Sequence, residues 1–509
     1  MAVRFEVSPV WCRDPYRTEN PMSFDPTPEQ QKAIELFKTG EDLVIEAGAG
    51  TGKTTTLVHL AKANPERRMQ YVAFNKAIVE ESKAKMPANV TCNTMHSLAM
   101  REEGKKYRHR LQSARMKPMQ IARLLDLDDI MVTVDGVAKK RLSGGYLASH
   151  VMRAIQTFCQ TADPEPTRQH FGYIEGIDMP APDGARRYDN NNQVAKHCEQ
   201  ALRKAWADLT DIDGKLPYGH HCYLKSWQLS GPRIYADVIL FDEAQDSSPV
   251  MADIIAQQDR SQRVYVGDTQ QQLYAWLGAV NALANVEGAN RAWLTKSFRF
   301  GPEVAQRANL VLEWLDAELR ITGNDDLDSV VAETQDPNVI LCRTNACAIE
   351  NVLDQIKAGK KVAVVGGARE LVDFAKAAKS LQDKGWTSHR DLACFDNWAE
   401  VERYVETDPQ GSDLKLLVKL VTDYGPDTII RNLDRCCDER SADITISTAH
   451  KSKGREWDRV KLAADFPAPK EGEGPADLDE GELRLLYVAV TRAQVVLDPF
   501  SVPMFFDAR

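Results

Sequence analysis

A glycine-rich stretch at residues 47–54, Ala-Gly-Ala-Gly-Thr-Gly-Lys-Thr, carries the clearest chemistry in this chain. The apolar run at 43–45 enters it like a strand, and residues 55–58 leave it like the start of a helix. Glycines let backbone N–H groups curl around phosphates, and a helix N-terminus adds a dipole that favours anions. Lys53 would reach the β- and γ-phosphates, and the Thr54 hydroxyl would ligate Mg²⁺. The strand–loop–helix context therefore predicts a site for a nucleoside triphosphate.

Two adjacent carboxylates follow the apolar run at residues 238–241. Asp242, at the tip of this predicted strand, is placed to hold Mg²⁺ directly or through water. Glu243 can then orient or deprotonate the attacking water, as a general base does. A strand-tip position beside a phosphate loop favours these roles over those of a chance acidic pair on the surface.

Residues 267–276 combine polar amides with aromatic side chains. The apolar run before them predicts a strand that ends at Gly267, and the amides that follow could sense a γ-phosphate. Trp276 offers a flat face, and aromatic rings near a basic groove stack on single-stranded bases, each stack contributing about 1–3 kcal/mol. An isolated aromatic residue is also common in protein cores, so both roles of Trp276 stay open.

Two arginines lie in suggestive surroundings, Arg299 in Lys-Ser-Phe-Arg-Phe and Arg492 in Val-Thr-Arg-Ala. Phosphoryl transfer gains greatly from a guanidinium group brought to the γ-phosphate. From the residues alone, either arginine could equally be a structural salt-bridge partner.

The composition is that of an ordinary globular protein. Of its 509 residues, 43% are hydrophobic and 27% are charged, and the formal net charge is −10. This charge argues against a surface that is basic all over, but nucleic-acid binding depends on a local groove rather than on the sum. We find neither a signal peptide at the N-terminus nor an apolar run of membrane-spanning length. We therefore expect no membrane association and a cytoplasmic, nucleoid-associated protein.

The ten cysteines are scattered and form no Cys-x-x-Cys motif. In a chain of this size, that pattern indicates reduced thiols in a cytosolic protein. His220-His221-Cys222 could begin a metal site, but no second pair at ligand spacing accompanies it. The sequence therefore does not favour a zinc site.

Short apolar runs rich in β-branched residues alternate with helical patterns, which predicts α/β architecture with parallel sheets. The candidate strands fall into two sets, and two nucleotide-binding cores explain them better than one enlarged sheet. The first set is 43–46, 70–74, 90–94, 238–241 and 264–267. The second set is 339–343, 361–365, 444–447, 460–463 and 495–498.

Two stretches with mostly helical patterns interrupt these sets, at about 102–219 and about 370–441. A basic cluster at residues 101–123 opens the first of them. It could follow a phosphate backbone or form a solvated helix face, and the sequence does not separate these two roles. Residues 161–192, with several Pro, Gly and Asn, predict a loop.

The order of these motifs and their residues resemble those of a superfamily 1 DNA helicase of the UvrD/Rep type over most of the chain. Beyond the stretches described above, the resemblance rests on residues 26–30, 73–76, 94–97, 297–299, 448–457 and 486–493. Three stretches look closest to the F-box DNA helicase branch, namely 223–229, 297–302 and 450–457. Only about 26 residues precede the first motif, so we expect no F-box and no ubiquitin-ligase role.

The resemblance implies an α/β fold with two RecA-like parallel-sheet P-loop cores, each interrupted by a mostly helical insertion. The first core would comprise residues 1–101 and 220–297, with its insertion at 102–219. The second core would comprise residues 298–369 and 442–509, with a short insertion at 370–441.

The resemblance also implies how ATP would be held. Gln30 would read the adenine, Phe298 would stack on it, and Glu456 would lie near the ribose. Ala47, which departs from the general phosphate-loop pattern, is normal in this family. The loop residues implied to contact ATP are Ala47, Gly48, Ala49, Gly50, Thr51, Gly52, Lys53, Thr54 and Thr55.

For catalysis, the resemblance implies that Asp242 and Thr54 hold Mg²⁺ and that Glu243 activates the attacking water. Gln271 matches the glutamine that senses the γ-phosphate, and two residues match the arginine fingers of the family. The implied catalytic set is Lys53, Asp242, Glu243, Gln271, Arg299 and Arg492.

Motifs that contact single-stranded DNA in this family contain Phe74, Asn75, His96, Tyr274, Trp276 and His450. Leu277 departs from the family pattern, because many relatives have Arg after the aromatic residue. The insertion at 370–441 is also much shorter than the usual accessory domain. Both departures bear on the coupling of ATP hydrolysis to movement and on strand separation.

We therefore expect a monomeric motor that uses ATP and Mg²⁺ to move 3′ to 5′ along single-stranded DNA. It would unwind tailed duplex in replication, recombination or repair, with recombination or replication proteins as possible partners. A translocase that strips recombinase or other proteins from DNA with little unwinding is an alternative, and Leu277 and the short insertion favour it somewhat. A DNA-binding scaffold with a degenerate ATPase is a further alternative, against which the intact catalytic set speaks. A fused nuclease is not expected, since about 17 residues follow Arg492.

Overall fold

The computed structural model describes residues 25–73, 75–112, 116–134, 138–174, 177–178, 189–273, 278–284, 286–389, 391–392, 395, 397–407 and 412–508. Within these residues it contains two six-stranded parallel sheets and one antiparallel hairpin. Among the helices so described, we find none that combines the length and the apolar character needed to cross a membrane.

The chain begins with helices that alternate with strands of the first sheet. They are α1 (Pro28–Phe37), β1 (Leu43–Ala47), α2 (Lys53–Lys62), β2 (Met69–Ala73), α3 (Lys76–Lys85), β3 (Val90–Thr94) and α4 (Met95–Glu102). Helix α1 starts at a proline, and the preceding Thr27 forms a capping box with Gln30. Strands β1 and β2 are buried along their whole length, as strands covered on both faces must be.

The first insertion is helical, with one hairpin. Its elements are α5 (Pro118–Leu125), β4 (Ile130–Val134), β5 (Ala138–Leu142), α6 (Gly144–Gln160) and α7 (Asp189–Thr210). Helix α8 (His220–Leu229) follows at the start of the second part of the first core. The antiparallel hairpin was not predicted, although Ile-Met-Val-Thr-Val in β4 is typical of a strand. Helix α7 also begins at Asp189, inside the segment that we predicted as loop.

The chain then returns to the first sheet and enters the second core. The elements of this part are β6 (Val238–Phe241), α9 (Pro249–Ala256), β7 (Gln262–Gly267), β8 (Asn290–Leu294), α10 (Pro302–Trp314), β9 (Val330–Val331), β10 (Val339–Cys342), α11 (Asn345–Lys357) and β11 (Val362–Val364). Strands β8 and β9 lie at sheet edges and were not predicted.

The second insertion is helical, as predicted, and is followed by the rest of the second sheet. The elements are α12 (Arg369–Lys384), α13 (Trp398–Thr407), α14 (Ser412–Tyr424), α15 (Pro426–Leu433), β12 (Ile444–Thr448), β13 (Trp457–Leu462), α16 (Glu480–Val490) and β14 (Ala493–Asp498). The ten strands predicted from the sequence are all present, which confirms the α/β fold class.

The strand order of the first sheet is β3-β2-β6-β7-β1-β8, and that of the second is β11-β12-β10-β13-β14-β9. The strand pairs of both sheets are parallel. Parallel strands bring their carboxyl ends to one edge of the sheet, where ligands of α/β proteins bind. Because β1 lies between β7 and β8, the loop after β1 is flanked by the residues that follow both neighbours.

Helices cover both faces of each sheet. In β1, Leu43 and Ile45 pack on the side of α1 and α2, while Val44 packs on the other side with the first insertion. This alternation follows from the two-residue period of a strand. Helices α10 and α16 cover one face of the second sheet, and the short insertion covers the other. These shared cores favour the domain boundaries given above, which we keep as a proposal.

Candidate nucleotide site between the two cores

The loop after β1 takes its shape from two glycines. Gly50 and Gly52 have φ angles of 74° and 81°, a region in which residues with a Cβ are strained. A Cβ on Gly50 would also lie 2.7 Å from the Cβ of Arg299 and from the Oγ of Ser297. Helix α2 begins at Lys53 with Gly52 as its N-cap, and glycine has no side chain that could cap the first N–H groups. Such a helix start is suited to an anion.

The remaining predicted loop residues lie at different depths. Ala47 ends β1 with a fully buried side chain. Thr51 is also buried, and its hydroxyl donates to the Gly48 carbonyl at 2.9 Å. Thr54 is half-buried and Thr55 is exposed at the first turn of α2. Ala47 and Thr51 thus shape the loop from within, and a contact of each predicted loop residue with ATP stays a prediction.

Gln30 and Phe298 meet beside the loop. A Cβ on Gly52 would lie 3.3 Å from the Nε2 of Gln30 and 3.6 Å from the ring of Phe298. Gln30 is buried, and its side-chain amide donates to the Thr56 hydroxyl at 3.2 Å. The backbone N–H of Phe298 donates to the Gly50 carbonyl at 2.8 Å, while 46% of Phe298 is exposed. The arrangement suits an amide that reads a base and a ring that stacks on it.

The surroundings shift the pKa values of the two predicted catalytic carboxylates in opposite directions. Asp242 is buried and accepts hydrogen bonds from the Tyr71 hydroxyl at 2.6 Å and from the Glu243 backbone N–H at 2.9 Å. Burial, reinforced by Glu243, raises the pKa of Asp242 to about 6. Burial also acts to raise the pKa of Glu243, but Lys53 and Lys453 outweigh it and lower that pKa to about 2. Glu243 is therefore ionised at neutral pH.

Backbone geometry singles out Glu243 as well. Its φ of 53° is left-handed, which is uncommon for a residue with a side chain and is concentrated at functional sites. Its Oε1 lies 3.2 Å from the Lys53 ammonium, and its Oε2 accepts from the Gln245 amide at 2.5 Å. The carboxylate is thus held in one place while it stays charged.

A buried hydroxyl from the second core reaches the phosphate loop. Tyr487 of α16 donates to Asp268 Oδ2 at 3.2 Å and accepts from the Ala49 backbone N–H at 3.3 Å. The Gln271 amide donates to the same Asp268 oxygen at 2.7 Å. Neither Asp268 nor Tyr487 was predicted as a site residue, although both lie in motifs that the resemblance uses. Their contact joins positions about 220 residues apart, which no local pattern reveals.

Both predicted arginine fingers are held by protein groups. Arg299 donates to Glu456 Oε2 at 2.7 Å and to the Thr491 carbonyl at 2.9 Å. Arg492 is buried and donates to the Val488 carbonyl at 2.8 Å and to the Thr491 hydroxyl at 3.0 Å. Burial lowers the pKa of Arg492 to about 9, and the positive charge of Arg299 adds to this effect. The ion pair places Arg299 beside Glu456, the predicted ribose neighbour.

Lys453 is a residue of the cleft that the sequence analysis did not single out. Its ammonium forms an ion pair with Asp246, donates to the Gln271 carbonyl at 2.6 Å, and lies 3.8 Å from Glu243 Oε2. Its position inside the motif at 448–457 was the only signal in the sequence.

A cleft of about 610 Å³ lies between the two cores and is lined by both. Five members of the predicted catalytic set line it, and Asp242 is buried next to one of them, Glu243. The five are Lys53, Glu243, Gln271, Arg299 and Arg492.

The residues present fit ATP and Mg²⁺. The start of α2 offers N–H groups to phosphate, because its N-cap Gly52 has no side chain to cap them. The Thr54 hydroxyl and the Asp242 carboxylate are oxygen donors, which Mg²⁺ prefers. Lys53 brings a positive charge to the same loop, and its pKa is raised because Glu243 and two other carboxylates outweigh the effect of burial.

Of the predicted DNA contacts, Asn75 and His450 line this same cleft. The Asn75 side chain caps α3 by accepting from the Ala77 N–H at 2.9 Å. His96 is half-buried, with its ring edge-to-face on Tyr223 at 5.9 Å. Contact of these residues with DNA stays a prediction. The other predicted contacts, Phe74, Tyr274 and Trp276, lie outside the described residues, as does Leu277.

One arginine of the basic cluster at 101–123 has a structural role. Arg110 is buried and donates to the carbonyls of Asp208 at 3.0 Å and Leu216 at 3.0 Å. Its guanidinium also stacks over the Tyr218 ring at 4.9 Å. This arginine ties the insertion together.

Comparison with known proteins agrees with this geometry. Residues 26–287 match the UvrD/REP helicase N-terminal domain, and residues 326–498 match the UvrD-like helicase C-terminal domain. The chain is similar to F-box DNA helicase protein 1 of Schizosaccharomyces pombe, with 29% identity over 520 residues that cover 92% of this chain and 56% of that protein. It is also similar to F-box DNA helicase 1 of Gallus gallus, with 28% identity over 528 residues that cover 96% and 50%.

The chain thus spans about half the length of these relatives. The N-terminal family match alone covers more than half of the chain, and the C-terminal match covers most of the second core. The two parallel sheets are accordingly RecA-like helicase cores. The chain belongs to the UvrD/REP helicase family.

Proposed function

We propose that this chain is an ATP-dependent DNA helicase that moves 3′ to 5′ along single-stranded DNA and unwinds duplex. The observation that carries the proposal is the cleft in which Lys53, Glu243 and Gln271 face Arg299 and Arg492. Membership of the helicase family supports the use of ATP, and the names of the two relatives support DNA as the substrate.

Bound ATP with Mg²⁺ supplies the γ-phosphoryl group that is transferred to water. Lys53 and the N–H groups of the loop would hold the phosphates, and Thr54 and Asp242 would hold the metal. Gln30 and Phe298 would hold the adenine.

The chain's own groups then have separate tasks. Glu243, ionised at neutral pH, accepts the proton of the attacking water. Gln271 is oriented by Asp268, so its amide has a fixed position at the cleft. The two guanidinium groups, Arg299 and Arg492, neutralise the charge that develops during transfer.

Two contacts link this chemistry to movement of the cores. Tyr487 contacts both Ala49 and Asp268, and Lys453 contacts Asp246, each across the cleft. A change in the charge of the bound nucleotide therefore changes the contacts that close the cleft. Alternate closure and opening would carry single-stranded DNA past the predicted contact residues.

A translocase that removes proteins from DNA with little unwinding is the second candidate. The observation that favours it is that the second insertion is short and consists of α12 to α15.

We propose a monomer that acts near the chromosome, with recombination or replication proteins as partners.

Unwinding of tailed duplexes tests the proposal. The full chain is incubated with ATP, Mg²⁺ and a duplex that carries a 3′ or a 5′ single-stranded tail. We expect strand release from the 3′-tailed duplex and none with a non-hydrolysable nucleotide. Release from the 5′-tailed duplex alone would refute the polarity. ATP-dependent removal of a protein block without strand release would support the translocase instead.

A further inference from the structure

Another cluster of reactive side chains lies where the first insertion meets the first core. Cys159 stands near the end of α6, and His221 and Cys222 stand in the first turn of α8. Each offers one ligand atom, and the three atoms lie within 4.8 Å of one another. Both cysteines are buried thiols, and His221 is half-buried. The fold thus brings a third ligand to the pair that the sequence shows at 221–222.

We propose that Cys159, His221 and Cys222 bind a soft divalent cation, with Zn²⁺ as the fitting ion. Zinc lies about 2.3 Å from thiolate sulfur and about 2.0–2.1 Å from imidazole nitrogen. The ligand atoms of a tetrahedral site are therefore roughly 3.5–4 Å apart. Small side-chain rotations would bring the three atoms, which lie within 4.8 Å of one another, to this spacing. Two sulfurs and one nitrogen favour zinc over Mg²⁺ or Ca²⁺, which prefer oxygen.

A buried ammonium group beside the cluster favours thiolates. The Lys225 ammonium is buried beside the cluster, where it donates to the Thr161 carbonyl at 2.9 Å. On binding, Zn²⁺ replaces the remaining thiol protons, which pass to solvent.

Helix α4, which packs against α8, carries a ring nitrogen without a partner in the described part of the chain. The Nδ1 of His96 is buried and has no hydrogen-bond partner among the described residues. Three protein ligands leave one position of a zinc tetrahedron open.

The place of the site in the fold indicates its role. Helix α8 packs against α6 and against α4, and it is followed by β6, which carries Asp242 at its tip. A cation shared by α6 and α8 would fasten the insertion to the first core. The site would therefore stabilise the fold rather than take part in phosphoryl transfer.

Zinc binding by the full chain tests this proposal. The chain is treated with a chelator, dialysed, and titrated with Zn²⁺ alone, while bound metal is counted by mass spectrometry and the Tm is recorded. We expect one zinc per chain and a higher Tm, since a ligand of the folded state stabilises it. Co²⁺ in place of zinc should give the absorption band of a thiolate complex.

Three variants, C159S, C222S and H221Q, should each weaken zinc binding by at least about 100-fold, because each removes a direct ligand. The matched control is C198S, which changes another buried thiol of the same insertion and should bind zinc like the wild type. Equal zinc content in the wild type and in C222S would overturn the proposal. If the serine variants fail to fold, H221Q decides, because it keeps both buried thiols, and wild-type affinity in H221Q would overturn the site.

Discussion

Lys453 of the second core forms an ion pair with Asp246 of the first core across the nucleotide cleft. The same ammonium donates to the Gln271 carbonyl at 2.6 Å and lies 3.8 Å from Glu243 Oε2. One cation of the second core thus contacts the segment of the predicted phosphate sensor and the predicted general base. This contact is positioned to couple changes at the nucleotide site to the second core.

Replacing Lys453 by Met should lower kcat for ATP hydrolysis by about tenfold or more, a change of about 1.4 kcal/mol in the barrier. Turnover should fall because the variant loses the contacts of Lys453 with Gln271 and Glu243. The free energy of unfolding should also fall, because Asp246 would remain buried without its cation, and removing one partner of a buried ion pair costs about 3–5 kcal/mol. Steady-state hydrolysis and urea unfolding measure the two effects.

The control for this change is Lys470→Met, since Lys470 is exposed in a loop and should leave both quantities unchanged. Wild-type turnover by the Lys453 variant would show that the ion pair has no part in coupling.

Glu243→Gln should keep nucleotide binding and lose turnover by roughly 10²–10⁴-fold, the usual contribution of a general base. Single-turnover hydrolysis with saturating single-stranded DNA gives the rate, and a fluorescent nucleotide gives the affinity. Glu81→Gln is the matched control, because Glu81 lines the same cleft but pairs with Lys85. Undiminished hydrolysis by the Glu243 variant would refute the assigned base.

Tyr487→Phe should lower both stability and turnover. The variant removes the hydroxyl that Ala49 and Asp268 share, and a buried group left without its partner costs about 1–3 kcal/mol. Tyr107→Phe also removes a buried hydroxyl, one that donates to the Thr210 carbonyl at 2.8 Å in the insertion. We expect this control to lose stability alone, and equal turnover in the two variants would argue against a role for Tyr487 in the cleft.

Local patterns in the sequence predicted the phosphate loop and the Asp242-Glu243 pair, because a strand, a tight turn and a helix start are all encoded within a few residues. Short apolar runs rich in β-branched residues also predicted the ten strands. Edge strand β8, whose sequence is Asn-Arg-Ala-Trp-Leu, was missed because only alternate residues are buried. Strand β9 has two residues, too few for any period to show.

The contacts between distant segments could not be predicted in the same way. Lys453 meets Asp246 across 207 positions, and Tyr487 meets Asp268 across 219. Cys159 joins His221 and Cys222 only because α6 packs against α8. Such pairs depend on how the elements pack, and a motif shows the residue without showing its partner.

The free energy of unfolding should decrease in acid, because His150 in α6 takes up a proton when the chain unfolds. Burial, reinforced by Arg153, lowers the pKa of His150 from 6.5 to about 4. Between these values the unfolded chain binds a proton that the folded chain does not, so the free energy of unfolding decreases as the pH falls. The expected loss is about 3 kcal/mol between pH 7 and pH 4, at about 1.36 kcal/mol per pKa unit.

Urea unfolding at several pH values measures the free energy of unfolding. Between pH 7 and pH 4, His150→Gln should lose about 3 kcal/mol less of it than the wild type. The exposed His197 provides a control, because His197→Gln should keep the wild-type pH profile. An identical pH profile for the wild type and the His150 variant would contradict the assignment.

We propose that groups from both cores form one ATP site whose turnover depends on DNA. ATP hydrolysis by the wild type, Lys53→Ala and Arg492→Ala, each with and without single-stranded DNA, tests it most directly. We predict that DNA stimulates the wild type strongly and that either variant abolishes this stimulation. Wild-type hydrolysis that is indifferent to DNA, or DNA-stimulated hydrolysis that survives Arg492→Ala, would show that the two cores do not form one DNA-dependent ATP site.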